Sequence, residues 1–230
     1  MKLLITSGGT SEKIDQVRSI TNHSTGKLGA LIAESFLAQG DQVTLVTTQN
    51  AVKPPAHPNL TIQIIENVQD LLETMQPLVK THGVLIHSMA VSDYTPIYMT
   101  GFEQITASQD LTEFLNKTND QGKISSKDEY QVLFLKQTPK IISQVKKWNP
   151  NIRLIGFKLL VDVSKEELLT VARASLAKNQ AEIIVANDLY DISNNQHHAY
   201  LVKENSVIEA NTKEEISQQL VTHIHTKDNL

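Results

Sequence analysis

The sequence predicts an α/β protein built on an open, mainly parallel sheet with helices on both faces. Short apolar runs of strand length alternate with longer segments of helical period, the signature of consecutive βα units. The pattern changes only after Ala186, where two short runs around Glu204-Asn205-Ser206 read as a β-hairpin followed by a helix. No composition break, Pro/Gly-rich linker or internal repeat divides the 230 residues, so one domain over 1–230 is expected.

Taken in order, the strands are expected at Leu3–Thr6, Gln42–Thr47, Thr61–Ile65, Val84–His87, Tyr130–Leu135, Leu154–Phe157 and Glu182–Ala186. The helices fall at Gly26–Gln39, Val68–Lys80, Pro139–Trp148 and Lys165–Lys178. In the first helix Leu28, Leu31, Ile32, Ser35 and Phe36 recur at helical spacing, and Gly40 is placed to end it. Ser164 ahead of Lys165-Glu166-Glu167 supplies a serine N-cap with acidic residues in the first turn. The closing hairpin pairs His198–Lys203 with Val207–Glu209, and a last helix runs from Thr212 to His225. Two connections are overlong, Ser7 to Thr25 and Tyr94 to Asp128. The second contains Gly101, Gly122 and a weak helix, Asp110–Lys117, behind Ser108 as a cap. Long loops in a compact domain carry function or disorder, so the chemistry is sought there, and 94–128 is read as a mobile flap.

Composition narrows the classes. The hydrophobic fraction of 40% and charged fraction of 20% are those of a packed globular domain. A net charge of −4 without any Lys/Arg block argues against nucleic acid as partner. The chain has no cysteine, which excludes disulfides, zinc-thiolate sites and thiol nucleophiles. The opening apolar run is too short for a signal peptide and no stretch approaches the roughly 20 apolar residues of a bilayer span, so a cytoplasmic protein is expected.

The first long loop opens with Thr6-Ser7-Gly8-Gly9-Thr10 after a strand and closes with Asn22-His23-Ser24-Thr25-Gly26-Lys27-Leu28-Gly29 at a helix start. Adjacent glycines let backbone N–H groups approach an anion, and a helix start favours phosphate or carboxylate. The plainer alternative is a Gly-rich turn and an ordinary helix cap. Neither Gly-x-x-x-x-Gly-Lys-Ser/Thr nor Gly-x-Gly-x-x-Gly occurs. The fourth strand leads into His87-Ser88-Met89-Ala90-Val91-Ser92-Asp93-Tyr94, at the carboxyl end where open sheets bind ligands. Asp93 there could hold a divalent cation or a ribose hydroxyl, or be a turn aspartate. His197-His198 and His223-x-His225 read as surface histidines, and Lys136 to Lys147 as a solvated helix face.

The loop from Ile14 to Gly29, with Asp15, Arg18 and Asn22, closely resembles phosphopantothenate–cysteine ligase. Ala90-Val91-Ser92-Asp93-Tyr94, Gly122-Lys123-Ile124, Ile155-Gly156-Phe157, Lys178 and Val185-Ala186-Asn187-Asp188 follow in the same order, so the resemblance covers almost the whole chain. It implies a Rossmann-like ligase domain in stand-alone form, with no flavin decarboxylase domain and no flavin. The family activates the carboxylate of 4′-phosphopantothenate with CTP, or ATP in eukaryotic relatives, and then joins it to cysteine with Mg²⁺ or another divalent cation present.

By that resemblance Asn22 and Lys123 are catalytic, Lys123 on the flap. Arg18, Asn22, Met89, Ala90 and Asp93 would bind the acid substrate, with Arg18 reaching the neighbouring site of a homodimer. Gly8, Gly9, Ser24, Asp93, Lys123, Pro139, Lys140, Ile141, Ile142, Phe157 and Lys178 would bind nucleotide, and Asp93 would hold the metal. Read alone, Lys123 is a solvated loop lysine and Phe157 a core residue. The chain departs from the bacterial pattern at Lys158, at Ala174 beside Arg173, and at Ser125-Ser126, positions that bear on nucleotide choice. Two rival readings are a nicotinamide-dependent oxidoreductase and a non-catalytic nucleotide or metabolite sensor.

Overall fold

A computed structural model describes residues 1–119, 122–125, 127–193 and 196–227. In chain order the elements are β1 (Lys2–Thr6), β2 (Ser11–Lys13), β3 (Ser19–Thr21), α1 (Lys27–Ala38), β4 (Gln42–Thr48), β5 (Leu60–Ile65) and α2 (Val68–Val79). There follow β6 (Val84–His87), β7 (Tyr94–Gly101), α3 (Phe102–Ala107), β8 (Gln131–Gln137), α4 (Ile142–Trp148) and β9 (Arg153–Leu160). The chain ends with α5 (Lys165–Asn179), β10 (Ile183–Asp188), β11 (Ala199–Val202), β12 (Val207–Ala210) and α6 (Lys213–Lys227).

Eight strands form one sheet in the order β12-β11-β10-β9-β6-β1-β4-β5, parallel from β5 through β10 and antiparallel across the last hairpin. The six parallel strands alone follow the 3-2-1-4-5-6 order of a Rossmann-like sheet, with its switch point between β1 and β6. Period-2 alternation divides the apolar runs between two faces. Leu3, Ile5, Val43, Leu45 and Ile86 pack under α1 and α6 against Phe36, Ile216 and Ile224. Leu4, Val46, Leu85 and Leu154 pack under α2, α4 and α5 against Leu71, Met75, Val145 and Leu168. A sheet covered on both faces explains why these strands read as continuous apolar runs.

Three expectations need correction. The strand expected at Tyr130–Leu135 is β8, and it lies outside the main sheet, paired antiparallel with β7. β7 was unpredicted because it is half exposed and bulged between Pro96 and Tyr98, which breaks the alternating pattern. Its Tyr98 stacks on Phe114 and lies tilted against Phe134, ring centroids 6.0 and 6.4 Å away, and these rings give the arm a small core of its own. The weak helix behind Ser108 is a 3-10 turn, Leu111–Asn116, and its cap is Asp110, whose carboxylate accepts from Thr112 N–H at 2.9 Å. Within the expected flap, residues 120, 121 and 126, including Ser126, lie outside the described residues. The loop Ser7 to Thr25 contains the β2–β3 hairpin, whose strands of three residues are too short to register as a pattern.

α1 starts at Lys27 with Gly26 as its cap at φ 74°, and Ser24 sits in the loop that leads into it. A Cβ at Gly26 would lie 2.9 Å from the Cβ of Ala51. The strained φ and the close approach both demand glycine there.

Candidate active site

The loops after β1 and β6 meet at the switch point and are laced together. Ala90 N–H donates to Gly8 O at 2.9 Å and Thr10 N–H to Ala90 O at 3.0 Å, a parallel bridge that uses both polar groups of the Ala90 backbone. Below it Thr6 Oγ1 accepts from Met89 N–H and lies 2.8 Å from His87 Nδ1. Burial pushes the pKa of His87 down to about 4, so the ring is neutral. Met89, expected to touch substrate, turns its side chain into the core beneath α2 and α4 and is 7% exposed.

The bridge leaves the N–H groups of Gly8 and Gly9 without a hydrogen-bond partner among the described residues. At Gly9 the next strand of backbone arrives so closely that a Cβ would lie 2.3 Å from the carbonyl oxygen of Asn22. Asn22 N–H donates to Thr10 O at 3.2 Å, and its half-buried amide makes no hydrogen bond among the described residues. Asn22 thus stands directly over the glycine pair. A cavity of about 470 Å³ opens on the β4–β5 side, reached by Gly9, Asn22 and Ser24. Its other wall is Thr48-Gln49-Asn50 at the end of β4 and Glu66 and Asp70 around the start of α2, residues that sequence reasoning missed. Thr48 ends a strand one residue longer than predicted; the rule that ligands bind beyond strand ends could have found this turn.

On the β6–β9 side stand Asp93 and Lys140, joined as an ion pair whose side chains are 62% and 53% exposed. Lys140 belongs to the turn that opens α4. Ile141 in that turn is buried in the core and Ile142 packs against it, so of Pro139–Ile142 it is Pro139 and Lys140 that face outward. Phe157 lies in the middle of β9, beside Val185, half buried against the α1–α6 core. Gly156 next to it has Ile142 and Ile184 within 2.9 Å of any added Cβ. Lys178 is not brought to this group. α5 runs from its Ser164 cap down to the amino-terminal ends of the strands, and Lys178 is in its last turn.

Arg18 lies against the segment that carries Lys123. The segment Gly122–Ile124 docks on the turn of the β2–β3 hairpin, and Arg18 Nη2 donates to Ile124 O at 3.0 Å. Arg18, expected to reach a neighbouring subunit, binds Asp15 through Nε and Nη2 and keeps Nη1 without a hydrogen bond among the described residues. Lys123 itself is exposed. The histidines read as surface groups have carboxylate partners: His198 contacts Glu209 at 2.7 Å, His223 Glu182 at 3.0 Å and His225 Asp41 at 2.8 Å. Among the described residues no group of three or more His, Cys, Asp or Glu could hold a metal.

The model for the C-terminal domain of the DNA/pantothenate metabolism flavoproteins matches residues 1–101 and 103–227. The chain belongs to this family. A Thermococcus kodakarensis relative, the coenzyme A biosynthesis bifunctional protein CoaBC, is 32% identical over 223 residues, covering 95% of this chain and 49% of its own. The chain spans about half the length of the curated relatives it matches. The crystal structure of the DNA/pantothenate metabolism flavoprotein from Streptococcus pneumoniae is 60% identical with a TM-score of 0.95, covering 99% of each chain. The structure of the C-terminal domain of a CoaBC protein is 28% identical with a TM-score of 0.74, over 99% of this chain and 95% of that one. The family therefore carries this sheet and its switch point. No helix among the described residues is long and apolar enough to cross a membrane.

Proposed function

We propose that the chain is a phosphopantothenate–cysteine ligase that uses CTP. The observation that carries the reading is the pair of unsatisfied Gly8 and Gly9 N–H groups beneath the free amide of Asn22, between a cavity on one side and Asp93 and Lys140 on the other. Two anions can be held side by side there. Membership of a family whose named relatives act in coenzyme A biosynthesis supports the choice of substrates.

In the first step an oxygen of the 4′-phosphopantothenate carboxylate attacks the α-phosphorus of CTP, and pyrophosphate leaves with the bonding electron pair. In the second the cysteine amine attacks the acyl carbon. The bond to the phosphoryl oxygen breaks, CMP departs, and the amine nitrogen loses a proton to solvent. Asn22 suits both steps, because a neutral amide donates to developing negative charge without titrating. Lys123, placed by the docked segment, and Lys140 would neutralise phosphate oxygens. A divalent cation fits only as a companion of the nucleotide: Asp93 is the lone carboxylate of the predicted set, and Mg²⁺ commonly takes one or two carboxylates with phosphates and water. It would screen the triphosphate charge as the carboxylate approaches. We assign Arg18 Nη1 to a phosphate or carboxylate of the acid substrate, across a homodimer interface.

Pyrophosphate release with 4′-phosphopantothenate tests this, comparing CTP with ATP, with and without cysteine. Release dependent on the acid, faster with CTP, and amide formation only with cysteine are expected. Nucleotide binding without acid-dependent release would overturn the reading.

A further inference from the structure

Asp15 joins the hairpin turn to the segment that carries Lys123. Its side chain is 0% exposed, and its carboxylate accepts five hydrogen bonds. Oδ1 takes the N–H groups of Val17 and Arg18 at 2.9 and 2.8 Å. Oδ2 takes Arg18 Nε and Nη2 at 3.0 and 2.6 Å and the Ile124 N–H at 3.1 Å. Arg18 Nη2 also reaches the Ile124 carbonyl at 3.0 Å, so Asp15 and Arg18 grip both polar groups of one residue's backbone. On the other flank of Lys123, Gln16 N–H donates to Gly122 O at 3.0 Å. Lys123 is held between two anchors that both belong to the turn 15–18.

The same turn leads through β3 directly into Asn22. Asn22 and Lys123, a hundred residues apart in sequence, are therefore referenced to one small rigid piece. A buried carboxylate is costly unless a cation and hydrogen bonds saturate it, and this one finds its full set in a single arrangement of the two segments. The Arg18 guanidinium and the three backbone N–H groups hold the Asp15 carboxyl well below the usual carboxylate range, so the grip keeps its charge.

We propose that Asp15 is a positioning residue for nucleotidyl transfer: through Arg18 and the Ile124 peptide it sets Lys123 against the cradle that Asn22 overhangs. The kinetic part rests on the ligase reading above; the docking of Lys123 does not. Asp15 touches no reacting atom: its effect on nucleotidyl transfer passes through Lys123, and a loss through Arg18, which it also holds, falls on KM for the acid. Removing the charge frees that segment, and a misplacement near 1 Å slows a transfer step by about 100-fold.

The test compares Asp15→Asn, Lys123→Gln and the double variant, with Asp110→Asn as a control in the same connection. Amide hydrogen exchange of the free protein reads the docking. For Asp15→Asn, peptides containing Gly122–Ile124 should exchange at least about tenfold faster while peptides from β1 and β6 keep their rates. Pyrophosphate release should show kcat lowered about 10- to 100-fold with KM for CTP changed far less, and the double variant should be no slower than Lys123→Gln alone. A purely structural role would instead raise exchange in β1 and β6, or multiply the two losses. Either result overturns the proposal, as does wild-type kcat or unchanged exchange at Ile124. Should Asp15→Asn not fold, Asp15→Glu keeps the charge, moves the grip, and carries the same comparison. If the wild-type chain releases no pyrophosphate, the ligase reading fails while the exchange measurement still decides the docking.

Discussion

Thr10 and Ser92 clasp the two loops of the switch point: Thr10 Oγ1 donates to Ser92 Oγ at 3.0 Å and accepts from Ser92 N–H at 2.9 Å. Both residues are buried, Thr10 at 0% and Ser92 at 3% exposure. Thr10→Val keeps the shape and leaves the Ser92 N–H unsatisfied, at a cost of about 1–3 kcal/mol. The denaturation midpoint should fall accordingly, and Thr10→Ser should restore most of it. A Thr10→Val midpoint equal to wild type would show that water replaces the clasp.

Gly9→Ala should separate activity from fold. The new methyl must push the Asn22 carbonyl away from 2.3 Å, and backbone yields far less easily than a side-chain tip. Pyrophosphate release is expected to drop by about 100-fold. Gly83→Ala, where an added Cβ has nothing within 4 Å, is the matched control and should leave the rate alone.

Asn22→Asp replaces a donor with a negative charge above the unsatisfied Gly8 and Gly9 N–H groups. Turnover should be crippled while the thermal midpoint stays within a few degrees of wild type. Full activity in this variant would remove Asn22 from the chemistry. Lys123→Gln should slow pyrophosphate release sharply, and an unchanged rate would remove the lysine from the transfer step.

His87 predicts a pH dependence of stability. Its folded pKa is lowered to about 4 by burial, below the ordinary value of 6.5. Above pH 6.5 both states are neutral and the histidine contributes no slope. Between 6.5 and 4 the unfolded chain takes up a proton that the folded one refuses, so stability falls with pH by about 1.4 kcal/mol per unit for each such group. His197, also lowered to about 4 by burial, adds in the same window. Thermal midpoints between pH 7 and 5, above most carboxylate titration, should decline, and His87→Gln should make the decline shallower. A parallel decline in the variant would assign the slope elsewhere.

Much of the sheet was legible. Val84–His87 matches β6 residue for residue, and β1, β4, β5, β9 and β10 differ only at their ends. Burial on both faces writes itself into sequence as unbroken apolar runs between helical periods. β8 was legible as a strand, but β7 and its pairing with β8 outside the main sheet were not, because the arm keeps one side in water and meets a local aromatic core. Gly8, Gly9, Asn22 and Asp93 were legible as motifs beyond strand ends. The Thr48-Gln49-Asn50 wall was not, because polar residues after a strand look alike until a cavity gathers them. Lys178 was placed with the nucleotide by resemblance, whereas the direction of α5 carries it to the opposite end of the sheet.

By itself the sequence determined the alternation of strand and helix, the overlong first loop and the asparagine and glycines that dress it. Those properties are local, set by period, by backbone freedom and by side-chain chemistry. Tertiary structure alone decided that Gly9 lies against the Asn22 carbonyl, that Met89 faces the core, and that Asp15 holds Ile124 across the molecule. Such contacts join segments distant in the chain, and only the packing of the sheet and its loops brings those segments within reach of one another.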